Sequence, residues 1–182
     1  MNKAVFLDRD GVVIEQVHYL GTPDGVKLET NAAKAIKLLH DNGFLAIVIT
    51  NQSGVARKMF TIQDVEDIHA RIDEYLLAEG SDKVDGYFSC YHHPDFTGDC
   101  DCRKPKDGLY KQAAKAFDID IAASYMIGDK FSDLEGGVNA GCFDNYLVLT
   151  GYGPKYEEKA KAANFKVAAN IYEAVKDIVS KK

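Results

Sequence analysis

The stretch Ala4-Val5-Phe6-Leu7-Asp8-Arg9-Asp10-Gly11 decides the reading of this chain. Four apolar residues in a row predict a short strand buried on both faces. The run stops in two carboxylates one residue apart, then a glycine. Side chains two positions apart on an extended backbone point the same way. Asp8 and Asp10 are therefore expected to project together from the strand's carboxyl end, where open α/β sheets bind ligands. A D-x-D-G on its own reads equally well as an acidic turn after a strand, so the rest of the chain must choose.

Outward from that stretch, helical and strand patterns alternate. Residues 31–42 predict a helix, with Ala32, Ala35, Ile36 and Leu39 on one face and Gly43 as its stop. The apolar run 44–49 predicts a second strand, ending in Thr50-Asn51-Gln52-Ser53-Gly54. Thr61, with Asp64 three residues on, predicts a helix start. That helix runs to about Glu79 behind a stripe of Val65, Ile68, Ile72, Tyr75 and Leu76. His69 borders the stripe and reads as a packing residue rather than a ligand. Strands are expected at 84–91, 124–127, 145–149 and 165–167, and helices at 108–117, 133–140, 155–163 and 171–179. The fourth strand ends in Gly128-Asp129-Lys130-Phe131-Ser132-Asp133. Residues 12–28 carry Gly21, Pro23, Asp24 and Gly25 and do not read as a helix. They form either a wall beside the aspartates or a surface hairpin.

This alternation predicts an α/β fold: a three-layer, Rossmann-like parallel sheet with helices on both faces and right-handed crossovers. One domain over residues 1–182 is expected, with no separate cap domain. The composition, 46% hydrophobic and 27% charged, is that of a globular protein. A formal net charge of −6 argues against a nucleic-acid partner. No apolar run reaches membrane-spanning length and no apolar leader precedes the first acidic residues. A cytoplasmic monomer with reduced cysteines is expected.

A second cluster lies in Cys90-Tyr91-His92-His93-Pro94-Asp95-Phe96-Thr97-Gly98-Asp99-Cys100-Asp101-Cys102. Cys90, His92, Cys100 and Cys102 make a Cys₃His set, a common structural zinc combination. The expected reducing compartment argues against disulfides, and the loop is too polar for buried free thiols. Zn²⁺ is the expected occupant, stabilising this loop. His93 reads as a bystander, and Cys142 as a small buried residue rather than a fifth ligand.

Four polar groups thus gather at strand ends: Asp8 with Asp10, Thr50 with Asn51, Arg103 with Lys104, and Asp129 with Asp133. Taken in order, D-x-D-G, T-N, a lysine and G-D-x-x-x-D resemble the haloacid dehalogenase-like phosphohydrolases along the whole chain. The resemblance implies a Mg²⁺-dependent phosphatase using an aspartyl-phosphate. Asp8 is then the nucleophile. Asp8, the backbone carbonyl of Asp10, and Asp129 hold the Mg²⁺, a hard ion that prefers oxygen ligands. Asp10 protonates the leaving oxygen and later takes a proton from water. Thr50 and the amides after it bind phosphoryl oxygens, and Lys104 supplies fixed positive charge. Asp133 either orients Lys104 or a metal-bound water, or serves only as a carboxylate at a helix N-terminus. Lys130 either contacts substrate or is solvated.

Within that superfamily, C-x-H…C-x-C-R-K-P resembles the histidinol-phosphatase and heptose-bisphosphate-phosphatase group. The zinc loop would pin Arg103 and Lys104 towards the phosphate. Asn51-Gln52-Ser53-Gly54-Val55-Ala56-Arg57 and Ala122-Ala123-Ser124-Tyr125-Met126-Ile127-Gly128-Asp129-Lys130 look like the heptose-bisphosphate branch. This implies removal of the C7 phosphate of a heptose 1,7-bisphosphate in lipopolysaccharide-type sugar metabolism. Gln16, Tyr19, Asn51, Gln52, Ser53, Arg103 and Lys130 would contact the sugar phosphate, with Arg57 and Lys58 adding charge nearby. The alternatives are a histidinol-phosphate phosphatase, for which Glu15 near the flap is a weak sign, or a phospho-acceptor signalling domain.

Overall fold

The computed structural model describes residues 1–181. Six strands form one sheet: β1 Lys3–Leu7, β2 Phe44–Asn51, β3 Gly86–Cys90, β4 Tyr125–Gly128, β5 Asp144–Val148 and β6 Lys166–Ala168. Their spatial order is β3-β2-β1-β4-β5-β6 and every neighbouring pair is parallel. The chain winds outward from β1 to β3, then crosses back to β4 and winds the other way. The reversal falls between β1 and β4, where a crevice opens at the carboxyl ends of the strands. Asp8 and Asp129 are the first residues beyond those two strands.

Helices α1 Ala32–Asp41, α2 Ile62–Ala78, α3 Pro94–Thr97, α4 Gly108–Phe117, α5 Phe131–Ala140, α6 Glu157–Ala162 and α7 Ile171–Ser180 complete the fold. Alternation along β1 divides them into layers. Val5 and Leu7 pack in one core with α1, α2 and α7. Ala4 and Phe6 pack in another with Leu109, Tyr110 and Ala113 of α4. The Phe6 ring meets Tyr110 edge-on, with centroids 5.0 Å apart. Both faces of β1 are covered, which is why its apolar run shows no alternation. Among the described residues no helix is long and apolar enough to cross a membrane.

Several boundaries differ from the sequence reading, each for a local reason. β3 begins at Gly86 because Asp85 is turned inward, accepting from the Ala46 amide at 2.7 Å and contacting His40 at 2.9 Å. α5 begins two residues early, at Phe131, because Asp133 Oδ2 accepts from the Lys130 amide at 3.0 Å and caps the first turn. The cysteine loop contains a short helix, α3, that no periodicity announces. Pro94 opens it and His93 Nδ1 accepts from the Asp95 amide at 3.2 Å. Between 155 and 163 the expected helix splits into a 3₁₀ turn at Gly153–Lys155 and α6. His69 lies within the buried stripe of α2 rather than at its border, stacked on Tyr87 at 4.1 Å. Residues 12–28 form the wall rather than a surface hairpin, with a 3₁₀ turn at Pro23–Gly25. Ile14 bridges to Leu28 in antiparallel fashion, Val12 to Ile14 are buried, and residues 16–20 wall the crevice.

Candidate active site

The crevice is a cavity of about 340 Å³, within the usual range of small-molecule sites. Asp8 enters from the end of β1, almost out of solvent. Its Oδ1 accepts from Lys104 Nζ at 3.0 Å and from the Arg9 amide at 2.9 Å. Burial opposes ionisation of Asp8. The Lys104 and Lys130 ammoniums overcome it and hold the carboxyl below its usual range. Lys104 is buried as well, and burial works against its charge. Asp133 and Asp8 outweigh that and keep the ammonium protonated. Its Nζ contacts Asp133 Oδ1 at 2.8 Å and the Ile49 carbonyl at 2.7 Å. Asp133 therefore does both things the sequence left open: it caps α5 and anchors Lys104.

Asp129 follows β4 and is fully buried. Burial, and next the facing Asp8 carboxylate, push its pKa up to about 7. Its Oδ2 accepts from the Tyr152 amide at 2.8 Å, while Oδ1 is buried with no hydrogen-bond partner. Oxygens of Asp8, Asp129 and Asp133 lie within 4.8 Å of one another. A buried acidic cluster with an orphaned oxygen fits a hard divalent cation such as Mg²⁺. Glycines make the close approach possible. A Cβ on Gly11, whose φ is +80°, would meet Asp129 Oδ2 at 2.3 Å, and one on Gly128 would meet the Asp133 Cβ at 2.3 Å.

Asp10 stands apart from that cluster. Its carboxylate accepts from Gln52 Nε2 at 3.0 Å and from Arg9 Nε at 3.0 Å. The same Gln52 nitrogen donates to Thr50 Oγ1 at 2.8 Å, tying Asp10 to the end of β2. Asn51 exchanges two hydrogen bonds with the Lys104 backbone, at 3.1 and 3.2 Å, fixing the lysine loop to β2. Gln16, Tyr19, Ser53, Arg103 and Lys130 all face the cavity. Lys130 Nζ lies 3.8 Å from Asp8 Oδ2 and 3.6 Å from Asp129 Oδ1. Arg57 and Lys58 do not line the cavity. Arg57 turns to the cysteine loop, with Nη2 3.1 Å from His93 Nε2 and its guanidinium over Phe96.

Two lining residues were missed by the sequence reading: Ser132, and Tyr152, whose ring lies 5.2 Å from Lys130 Nζ. The Thr150-Gly151-Tyr152-Gly153 turn after β5 is the signal that could have pointed to the second of these.

The Cys₃His set converges as expected. Sγ–Sγ separations among Cys90, Cys100 and Cys102 are 3.1, 3.5 and 3.7 Å, and His92 Nδ1 lies 3.3 Å from Cys102 Sγ and 3.8 Å from Cys90 Sγ. A disulfide would need about 2.05 Å. The edge of a zinc–thiolate tetrahedron is about 3.8 Å for bonds near 2.3 Å, so the donors fit that metal. The loop reaches the cavity through Arg103, whose Nη1 donates to the His92 carbonyl at 3.3 Å. Cys142 lies outside the cluster, and burial pushes its thiol up to about 12.

Comparison with known proteins agrees with this geometry. Residues 101–174 match the HAD-hydrolase-like family model. The chain is 40% identical over 164 residues to D-glycero-beta-D-manno-heptose-1,7-bisphosphate 7-phosphatase of Haemophilus ducreyi, covering 88% of this chain and 90% of that one. It is 37% identical over 180 residues to the protein of the same name from Escherichia coli K12, covering 95% and 93%. The fold superposes with a TM-score of 0.89, at 31% identity and 99% coverage of both chains, on D,D-heptose 1.7-bisphosphate phosphatase from B. bronchiseptica complexed with magnesium and phosphate. With its strand-end aspartates, buried lysine and Cys₃His loop, this chain belongs to the D-glycero-beta-D-manno-heptose-1,7-bisphosphate 7-phosphatase family of HAD-like phosphatases.

Proposed function

We propose that this chain removes the C7 phosphate of D-glycero-D-manno-heptose 1,7-bisphosphate, working in the cytoplasm as a monomer and as one domain over residues 1–182. The observation that carries the reading is the Asp8 carboxylate, held ionised by Lys104 and Lys130 beside the Asp129 and Asp133 carboxylates. A carboxylate kept charged and pre-oriented at the floor of a cavity is suited to nucleophilic attack.

In the proposed mechanism Asp8 attacks phosphorus, the bond to the C7 oxygen breaks, and Asp10 delivers its proton to that oxygen. Water then attacks the aspartyl-phosphate and gives its proton to Asp10. Phosphate leaves and the Asp8 carboxylate is restored. Asp8, Asp129 and the Asp10 carbonyl would hold Mg²⁺, which would supply positive charge to the phosphoryl oxygens. Thr50 and Ser53 orient the phosphoryl group, and Lys104 balances its charge. Asn51 and Gln52 act chiefly by fixing Lys104 and Asp10, to which their amides are bonded. Cys90, His92, Cys100 and Cys102 would hold Zn²⁺, which would pin the loop that carries Arg103.

The cavity rim favours a bisphosphate. Arg103 and Lys130 face it beside Gln16 and Tyr19, while Glu15, the acidic group nearest the flap, lies outside the lining. Histidinol phosphate would bring an ammonium and an imidazole, for which this rim offers no dedicated carboxylate. Phosphate release from the heptose bisphosphate and from histidinol phosphate, measured side by side, tests the reading. A higher kcat/KM for the bisphosphate, with the C1 phosphate retained in the product, is expected. Preference for histidinol phosphate, or loss of the C1 phosphate, would overturn the substrate assignment.

A further inference from the structure

Arg9 sits between the two aspartates, and simple strand alternation would send its side chain away from both. Instead the guanidinium doubles back on its neighbour. Nε donates to Asp10 Oδ2 at 3.0 Å and Nη2 to Oδ1 at 3.3 Å. Arg9 is fully buried, the largest side chain among the described residues to be so. Keeping a guanidinium from water carries a desolvation penalty that only a well-placed counter-charge offsets.

Among the described residues Asp10 is the one carboxylate paired with Arg9. Burial, and then the charge of Arg9 itself, hold His69 neutral, with its pKa pushed down to about 3, and neither ring nitrogen has a hydrogen-bond partner. The Tyr87 ring stacks on His69 at 4.1 Å and sends its hydroxyl to Asp73 at 2.9 Å. On the other side of Asp10, Gln52 donates to Oδ2. That oxygen therefore takes two short hydrogen bonds, while Oδ1 takes one longer bond, and Asp10 lines the cavity.

We propose that Arg9 is a positioning residue for proton transfer. Its two-pronged grip fixes the plane of the Asp10 carboxyl where that group lines the cavity and can meet the leaving oxygen. Arg9 does not line the cavity and acts only through Asp10. The proposal rests on the acid–base role given to Asp10 above, and deepens it.

The test uses leaving groups that differ in their need for a proton. A sugar alkoxide must be protonated as it departs, whereas the nitrophenolate of p-nitrophenyl phosphate leaves unaided. kcat/KM is measured with the heptose bisphosphate and with p-nitrophenyl phosphate for wild type, Arg9→Met, Arg9→Lys, Asp10→Ala and the Arg9→Met/Asp10→Ala double variant. Arg9→Met is expected to lose about 100-fold on the bisphosphate, within the span of general acid catalysis, and less than about 5-fold on the aryl phosphate. Arg9→Lys, which keeps one donor and the charge, should fall between and serves alone if Arg9→Met does not fold. In the Asp10→Ala background, loss of Arg9 should cost no more than about 2-fold, because residues acting as a unit are not additive. Equal losses on both substrates, or a full further loss in that background, would overturn the proposal. Asp10→Ala retaining the bisphosphate activity would instead remove the acid–base reading on which it stands.

Discussion

Lys104 Nζ lies 3.0 Å from Asp8 Oδ1, joining positions 96 residues apart at the floor of the cavity. The same ammonium contacts Asp133 at 2.8 Å, so one buried cation serves two buried carboxylates. Lys104→Met keeps the approximate length of the side chain and removes the charge. It should lower kcat by at least about 100-fold through lost charge stabilisation. It should also destabilise the fold by about 3–5 kcal/mol, since Asp133 loses its cation and Asp8 keeps only the more distant Lys130. Urea unfolding beside steady-state kinetics checks both.

Asp8→Asn keeps the shape of the side chain and removes the nucleophile. Turnover should fall by more than about 10³-fold, as when a covalent catalyst is deleted, with the circular dichroism spectrum unchanged. Retention of a tenth of wild-type turnover would contradict the role given to Asp8.

Zinc should be present at one equivalent per chain and be lost in Cys100→Ser. Arg103 hangs from the carbonyl of His92, itself in the donor set, so disordering the loop moves a residue of the cavity rim. Metal analysis, with KM rising before kcat falls on zinc removal, is the expected outcome.

Arg103→Ala should reduce kcat/KM for the bisphosphate by about 10–100-fold, the scale of one charge-assisted contact. The loss should be smaller for a monophosphate substrate, which a parallel assay reads directly.

His40 and Asp85 make a pH-dependent contribution to stability. The hydrogen bond that His40 donates to Asp85 raises the His40 pKa above 6.5. Burial alone would raise Asp85, but bonds from His40 and the Ala46 amide bring it below 3.8. The histidine's contribution is complete below 6.5 and is lost as pH rises through its folded pKa. The aspartate's contribution is present above 3.8 and is lost as pH falls through its folded pKa. The pair is partly exposed, so screening keeps it below about 1 kcal/mol. Urea midpoints measured across this range should show the decline on the alkaline side for wild type and not for His40→Asn.

The strand ends were legible because chemistry there follows the chain: an apolar run, then polar residues at the edge. Asp8, Thr50, Asn51 and Asp129 are all read from that transition. The Cys₃His cluster was legible because three thiols and an imidazole in one polar loop have few other uses. Arg9 was not, because its grip on Asp10 depends on the backbone turning immediately after Leu7, where strand alternation stops applying. The inward course of Gln52 was hidden for a similar reason: type and position suggest a substrate contact, but packing decides which way an amide points. Tyr152 enters the cavity only because β5 lies beside β4, a matter of topology. α3 is too short to carry a period.

The most direct test of the account is to trap the phosphorylated enzyme. Protein mixed rapidly with excess substrate and Mg²⁺, quenched in acid and digested, should yield one peptide carrying a phosphoryl group, with the modification on Asp8. It should be absent from Asp8→Asn. Product formation with no phosphorylated peptide at any quench time, or phosphorylation at another residue, would contradict the central role of Asp8.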